Sequence, residues 1–213
     1  MCCKQVLNLK IMIKIILIII YCFNTTIYAQ SSSDYYKIGD KKDQKGNFKG
    51  AIKQYQKALY LDPNNVEILE KIVFAKSNTG QYSSAIDNLN TLIQLKPKSS
   101  KFHFIRGFFQ SNLKNYNAAV LDYTKAIVYQ EDKIANFTIF SERGLCKMRL
   151  NDYTGAIIDF NQSLSIYNDP GIIKLKKEAE IKLKENPPPL KYRVIETTNL
   201  HYIFLKKPVL TTN

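Results

Sequence analysis

The chain has 213 residues, 45% hydrophobic and 23% charged, the proportions of an ordinary globular protein rather than a disordered or collagen-like one. Lys and Arg number 31 against 18 Asp and Glu, a formal net charge of +13, which favours anionic surfaces. Cys2, Cys3 and Cys22 lie near the start and only Cys146 lies beyond them, so a chain without its first 29 residues can form no internal disulfide.

Lys4 and Lys10 precede an apolar run, Ile11–Phe23, broken only by Lys14; Asn24–Thr26 and then Ile27-Tyr28-Ala29 follow. That is the charged, apolar and small-residue order of a secretory signal peptide, with cleavage expected after Ala29. The run is shorter than the roughly 20 residues a membrane-spanning helix needs. Residues 1–29 are therefore expected to be removed and the chain to be secreted, periplasmic or in the cell envelope, with an N-terminal membrane anchor as the alternative. The remaining 28 basic and 18 acidic residues leave +10.

Four copies of one pattern follow. Gly46–Asn65, GNFKGAIKQYQKALYLDPNN, recurs 34 residues on as Gly80–Ser99, again as Lys114–Glu131, and 37 further on as Asn151–Asn168. A fixed period of this size marks stacked helical units. Ala51, Ala85, Ala119 and Ala156 share one column, where a small side chain lets two helices approach closely. Phe48, Tyr82, Tyr116 and Tyr153 stand three residues before it; Tyr55, Leu89, Tyr123 and Phe160 four after it; Ala58, Leu92, Ala126 and Ser163 three later still. Offsets of three and four place these residues on one helical face. A first helix precedes each copy and carries Gly39, Val73, Gly107 and Gly144 in a small-residue column.

The spacings predict helices over 34–45, 49–61, 66–79, 83–95, 101–114, 117–130, 137–150 and 154–167. Pro63 and Pro97 stop two of them. Gly171–Glu185, with Ile172, Leu175, Ala179 and Leu183 in a stripe and Glu178–Lys182 and Glu180–Lys184 four apart on the wet side, is the expected cap for the last repeat. Pro187 opens an extended tail, 187–213, in which 192–195 and 201–205 read as strand-like.

These columns resemble the tetratricopeptide repeat, a 34-residue helix-turn-helix with large, small, aromatic, Ala, aromatic, Ala and Pro at set spacings. The resemblance covers Ser32–Asn168 and implies an all-α solenoid of four repeats (about 32–65, 66–99, 100–136 and 137–170) with a capping helix at 171–186, one domain over 30–186. Val73 departs from the small-residue column, Glu131 and Asn168 from the proline, and three extra residues fall around 132–136.

No catalytic constellation is present. His103 and His201 stand in no metal-ligand spacing, and His103 falls in the large-residue column with Tyr35, Leu69 and Phe140. No glycine-rich phosphate loop occurs. Asp87, Asp122 and Asp159 lie on second helices and are expected to be solvated. Cys146 aligns with Ala75 and Phe109 and is expected to be buried. The chain therefore reads as a non-enzyme with no catalytic residue, cofactor or metal.

The resemblance implies binding through a concave face lined by the first helices. The candidates are Tyr36 and Asp40, Glu70 and Phe74, Phe104 and Phe108, and Ser141 and Leu145, with Lys71, Lys101, Met148 and Arg149 nearby. Phe74, Phe108 and Leu145 are equivalent and are expected to form an apolar line along the groove, with simple padding of the contacts between helices as the alternative for each residue. A family variant that clamps a C-terminal carboxylate needs Lys and Asn a turn apart; Tyr36 and Asp40 occupy those places, so that clamp is missing. The expected function is a non-enzymatic scaffold outside the cytoplasm, binding a protein or peptide. The alternative is a polyanion or membrane-surface binder, and nucleic acid is not expected as a partner.

Overall fold

The computed structural model of the chain describes residues 12, 14–16, 30–130 and 136–187. The leader's cleavage point, the insertion between the third and fourth repeats and the strand-like stretches of the tail lie outside the described residues. Residues 12 and 14–16 are helical. Among the described residues there is no strand, and no helix is long and apolar enough to cross a membrane.

The chain forms two compact units, residues 1–114 and 115–213. The first holds α1 (Ser32–Asp43), α2 (Phe48–Leu61), α3 (Val66–Asn78), α4 (Tyr82–Leu95) and α5 (Ser100–Asn112). Each packs on the next in chain order. The second holds α6 (Tyr116–Val128), α7 (Asn136–Arg149), α8 (Tyr153–Ile166) and α9 (Pro170–Glu185), again packed in order, with α9 also touching α7.

Helix ends follow local chemistry and shift the predicted bounds slightly. Each second helix begins at its aromatic-column residue, one position earlier than predicted, because the residue before it is the N-cap. Asn47 and Asp152 accept from the backbone N–H groups of Gly50 and Gly155 through their side chains. Helix α1 starts at Ser32 rather than Asp34, since Ser31 and Asp34 form a reciprocal capping box. Pro170, not Gly171, opens α9, where its missing N–H costs nothing and Asp169 caps the turn.

The first helices end earlier than predicted because of a recurring turn. Gly46, Gly80, Lys114 and Asn151 sit at matching positions with φ of 71°, 71°, 63° and 61°. At Gly46 the turn is closed by Gly46 N–H to Asp43 C=O and Asn47 N–H to Lys42 C=O, and the same pair recurs at Gly80 and Asn151. This is the Schellman stop, which needs a left-handed residue.

The core is the set of repeated columns. Ala51, Ala85, Ala119, Ala156, Tyr55, Leu89, Tyr123 and Phe160 are all fully buried, and so are Ala58, Leu92, Ala126 and Ser163. Val73 is explained by its partner. Gly39 and Gly144 lie against the rings of Tyr55 and Phe160, whereas Val73 packs in one cluster with the smaller Leu89. At the far end of the second unit, Ile172 and Leu175 of α9 pack on Ala156, Phe160 and Ala179. The ion pairs of α9 are Lys176–Glu180 at 3.7 Å and Lys182–Glu185 at 3.0 Å, not the Glu178–Lys182 and Glu180–Lys184 pairs expected from spacing.

Candidate functional site

In the first unit, consecutive first helices are tied by polar contacts between residues 31 apart. The Tyr36 hydroxyl donates to Glu67 Oε1 at 2.6 Å, Lys71 Nζ to Asp40 Oδ1 at 2.5 Å, and Lys101 Nζ to Glu70 Oε2 at 2.6 Å. A full repeat is 34 residues, so each contact lands about one turn before the equivalent position on the next helix. The Lys71 hydrogen bond holds the Asp40 carboxyl below its ordinary pKa. Burial, reinforced by the bond to Glu67, raises the pKa of the Tyr36 phenol.

Beside these contacts lies a cavity of about 550 Å³. Leu89 and Leu92 of α4 line it, with Phe74 from α3 and Phe104 and Phe108 from α5; Asp43, Glu67, Glu70, Lys71, Ser77 and Lys101 supply its polar groups. Phe74 is 55% exposed and Phe108 38%, although core rings sit close by. Phe74 meets Phe48 edge-on at 6.3 Å between centroids, and Phe108 leans on buried Phe109 at 6.0 Å. The exposure is therefore a consequence of helical phase: Phe108 and Phe109 are neighbours in sequence, and the turn of about 100° between them carries one ring toward solvent and the other into the core. Asp43 is distinctive among the polar groups. Its Oδ1 is buried and accepts no hydrogen bond among the described residues, and burial raises the pKa of its carboxyl.

Six sequence candidates thus share one cavity: Glu70, Lys71, Phe74, Lys101, Phe104 and Phe108. Tyr36 stands beside it, held by Glu67. Leu145, Met148 and Arg149 belong to the second unit, where they line a cavity of about 290 Å³ with Tyr153, Leu175 and Lys182. Leu145 and Met148 pack against the Ala156–Phe160–Ala179 cluster on which α9 also rests. Ser141 is buried, its hydroxyl donating to the Thr138 carbonyl at 2.9 Å, so it offers nothing to a ligand.

Two of the aspartates are not solvated. Asp87 is exposed, but Asp122 is buried and Asp159 fully so. Arg143 grips Asp159 in a fork of 2.9 and 2.6 Å, and Lys147 reaches it at 2.8 Å. Two repeats earlier, Lys76 fills the place of Lys147 and donates to Ser84 C=O, Ser84 Oγ and Asn88 Oδ1 at 2.9, 2.6 and 2.6 Å. The second and fourth repeats thus place a lysine at this position, where the third has Gln110, and its partner column is neutral in one copy and acidic in the other. His103 is buried, with Nε2 donating to the Pro97 carbonyl at 3.0 Å, and Cys146 is buried as its column requires. No cluster of three metal-ligating side chains occurs among the described residues.

Residues 35–75 match the family model for the TPR repeat. A crystal structure of MamA protein superposes with a TM-score of 0.61 at 27% identity, covering 72% of this chain and 88% of that one. A tetratricopeptide repeat protein from Parabacteroides merdae superposes with a TM-score of 0.60 at 20% identity, covering 73% and 60%, a likeness of fold alone. DnaJ homolog subfamily C member 7 of Homo sapiens is 30% identical over 99 residues, 45% of this chain and 20% of the human protein. This chain therefore spans about a fifth of the length of that curated relative. The fold is an all-α tetratricopeptide-type solenoid of helix-turn-helix repeats with a C-terminal capping helix, and these matches together support a tetratricopeptide-repeat scaffold for protein–protein interaction.

Proposed function

We propose that the chain is a non-enzymatic scaffold that binds a peptide or protein segment in the cavity between α3 and α5. The observation that carries this reading is the pair Phe74 and Phe108, two large rings left in part exposed on one apolar wall of about 550 Å³ of open space. Solvent-facing aromatic rings at a concavity cost free energy unless a partner covers them. The adjoining polar groups, Glu70, Lys71 and Lys101, suit the rim of such a site, where polar groups set register more than affinity. The fold supports the reading, since helical arrays of this type present first-helix side chains to partners. Export is a further part of the proposal. It rests on the order of Lys4, Lys10, the apolar run and Ile27-Tyr28-Ala29.

The test is selection from a displayed random-peptide library on the full chain, followed by affinity measurement against Phe74→Ala and Phe108→Ala. Peptides with spaced apolar side chains should emerge, and Phe108→Ala should weaken them about tenfold or more. Selected peptides indifferent to both substitutions would place binding elsewhere. For export, the mass of the mature chain should correspond to a start at Gln30.

A further inference from the structure

The chain as a whole is strongly basic, at +13, yet the charge around this cavity runs the other way. Lys71 and Lys101 each already hold a carboxylate, Asp40 at 2.5 Å and Glu70 at 2.6 Å. Asp43 and Glu67 have no cation within ion-pair distance among the described residues; the Lys71 charge reaches Asp43 only from beyond that distance, and Glu67 is occupied by the neutral hydroxyl of Tyr36. Once the two internal pairs are set aside, the charged lining of the cavity is two carboxylates, with the neutral Ser77 hydroxyl, beside an apolar wall. Asp43 lines the cavity, and its Oδ1, enclosed by protein, accepts no hydrogen bond among the described residues. Burial disfavours the charged form of this carboxyl, and a cation beside its reachable side would restore it.

We infer that the cavity selects a cationic, apolar peptide segment, in which a Lys or Arg side chain meets Asp43 and Glu67 while neighbouring apolar side chains cover Phe74 and Phe108. This deepens the groove-binding reading and rests on it. The apolar contact provides affinity, and the two carboxylates provide sign selectivity. An acidic segment would face the same carboxylates with the nearby lysines already committed, so it is disfavoured. Arg suits the site better than Lys, because its planar fork can reach two carboxylate oxygens at once.

The experiment uses the full chain and two synthetic peptides of identical apolar pattern, one carrying Lys and Arg between the apolar residues and one carrying Glu. Fluorescence anisotropy measures each against the unsubstituted chain, Asp43→Asn/Glu67→Gln and Phe108→Ala. The basic peptide should bind about tenfold or more tightly than the acidic one. That preference should shrink in the Asp43→Asn/Glu67→Gln chain and at high salt. Equal affinity for the two peptides, or a preference that survives the double substitution, overturns the inference. If Phe108→Ala abolishes binding of both peptides but the double substitution changes nothing, the groove stands and the cationic selectivity falls. If neither peptide binds, or Phe108→Ala leaves both affinities unchanged, the groove reading fails and this inference fails with it. Melting temperatures of the three chains separate loss of binding from loss of fold.

Discussion

A Cβ on Gly144 would stand 2.7 Å from Cε1 of Phe160, and at the matching place one on Gly39 would stand 2.6 Å from Cδ1 of Tyr55. Both rings are fully buried in the core and cannot swing aside. Gly144→Ala should therefore destabilise the chain by about 1–3 kcal/mol, the ordinary cost of overpacking. Since Val73 is accommodated against Leu89, the double change Gly144→Ala/Phe160→Leu should lose less than the sum of its parts. Denaturant melts of the four chains measure this coupling. Strict additivity would show that glycine and ring do not share the space.

The four inter-helix turns place different residues in the same left-handed conformation. Gly46 and Gly80 adopt it without strain, while Lys114 has φ of 63° and pays for its Cβ. Lys114→Gly should stabilise the chain by about 0.5–1 kcal/mol, despite the greater freedom of glycine in the unfolded state. Asn151→Gly should gain less, because asparagine tolerates this region better than lysine. Midpoints of urea unfolding decide it, and destabilisation by Lys114→Gly would mean that the lysine side chain contributes more than its backbone costs.

The repeated apolar columns were legible in the sequence because each position is sampled four times and one helical period fits all copies. The buried charges were not. Asp87 and Asp122 look alike in composition, but they occupy adjacent columns. One residue along a helix turns a side chain by about 100°, so Asp87 reaches solvent while Asp122 and Asp159 face inward. The signal lay in comparing columns: Asn88, Asp122 and Asp159 align, as do Lys76 and Lys147, and the fold pairs Lys76 with Asn88 and Lys147 with Asp159. Leu145 shares a column with Phe74 and Phe108, and equivalence fixes the face of a helix but not its neighbours. In the last repeat Leu145 packs in one cluster with Ile172 and Leu175 of α9, a contact that no column of the earlier repeats announces.

Asp159 is the counter-charge for both Arg143 and Lys147. Asp159→Asn would leave two largely buried cations without it, so a loss of about 3–5 kcal/mol is expected. The exposed control Asp87→Asn should change stability by less than about 0.5 kcal/mol. Thermal and denaturant unfolding of the two variants are the relevant measurements; similar small losses would mean that water already screens the Asp159 cluster.

Asp40 supplies a pH dependence. Its carboxyl has a pKa below the ordinary 3.8, chiefly through the hydrogen bond from Lys71. A depressed folded-state value means that this contribution is complete well above pH 3.8 and disappears as pH falls through the folded pKa. Both side chains are near a third exposed, 34% for Lys71 and 28% for Asp40, so the contribution is at most about 1 kcal/mol. Stability measured from neutral pH into acid should fall less steeply in Lys71→Met than in the unsubstituted chain. Identical acid limbs would remove the pair from the account.

Phe108 and Phe109 give the sharpest separation of binding from folding, because they are adjacent in sequence and differ only in helical phase. Phe109 is 2% exposed and packs with Leu89, Leu92 and the Tyr82 ring, whose centroid is 5.2 Å away. Phe109→Ala removes a full core ring and should cost about 3–5 kcal/mol through lost transfer free energy and the void left behind. Phe108 retains 38% of its exposure, so less of its area is withdrawn from water and Phe108→Ala should cost under about 2 kcal/mol. Peptide binding should reverse that order when measured at a temperature where both variants are folded. Phe108→Ala should weaken binding about tenfold or more, whereas Phe109→Ala should act mainly through the folded fraction, with near-normal affinity per folded molecule. A Phe108→Ala chain that melts as early as Phe109→Ala would make the ring a packing residue between helices and leave the cavity without its principal anchor.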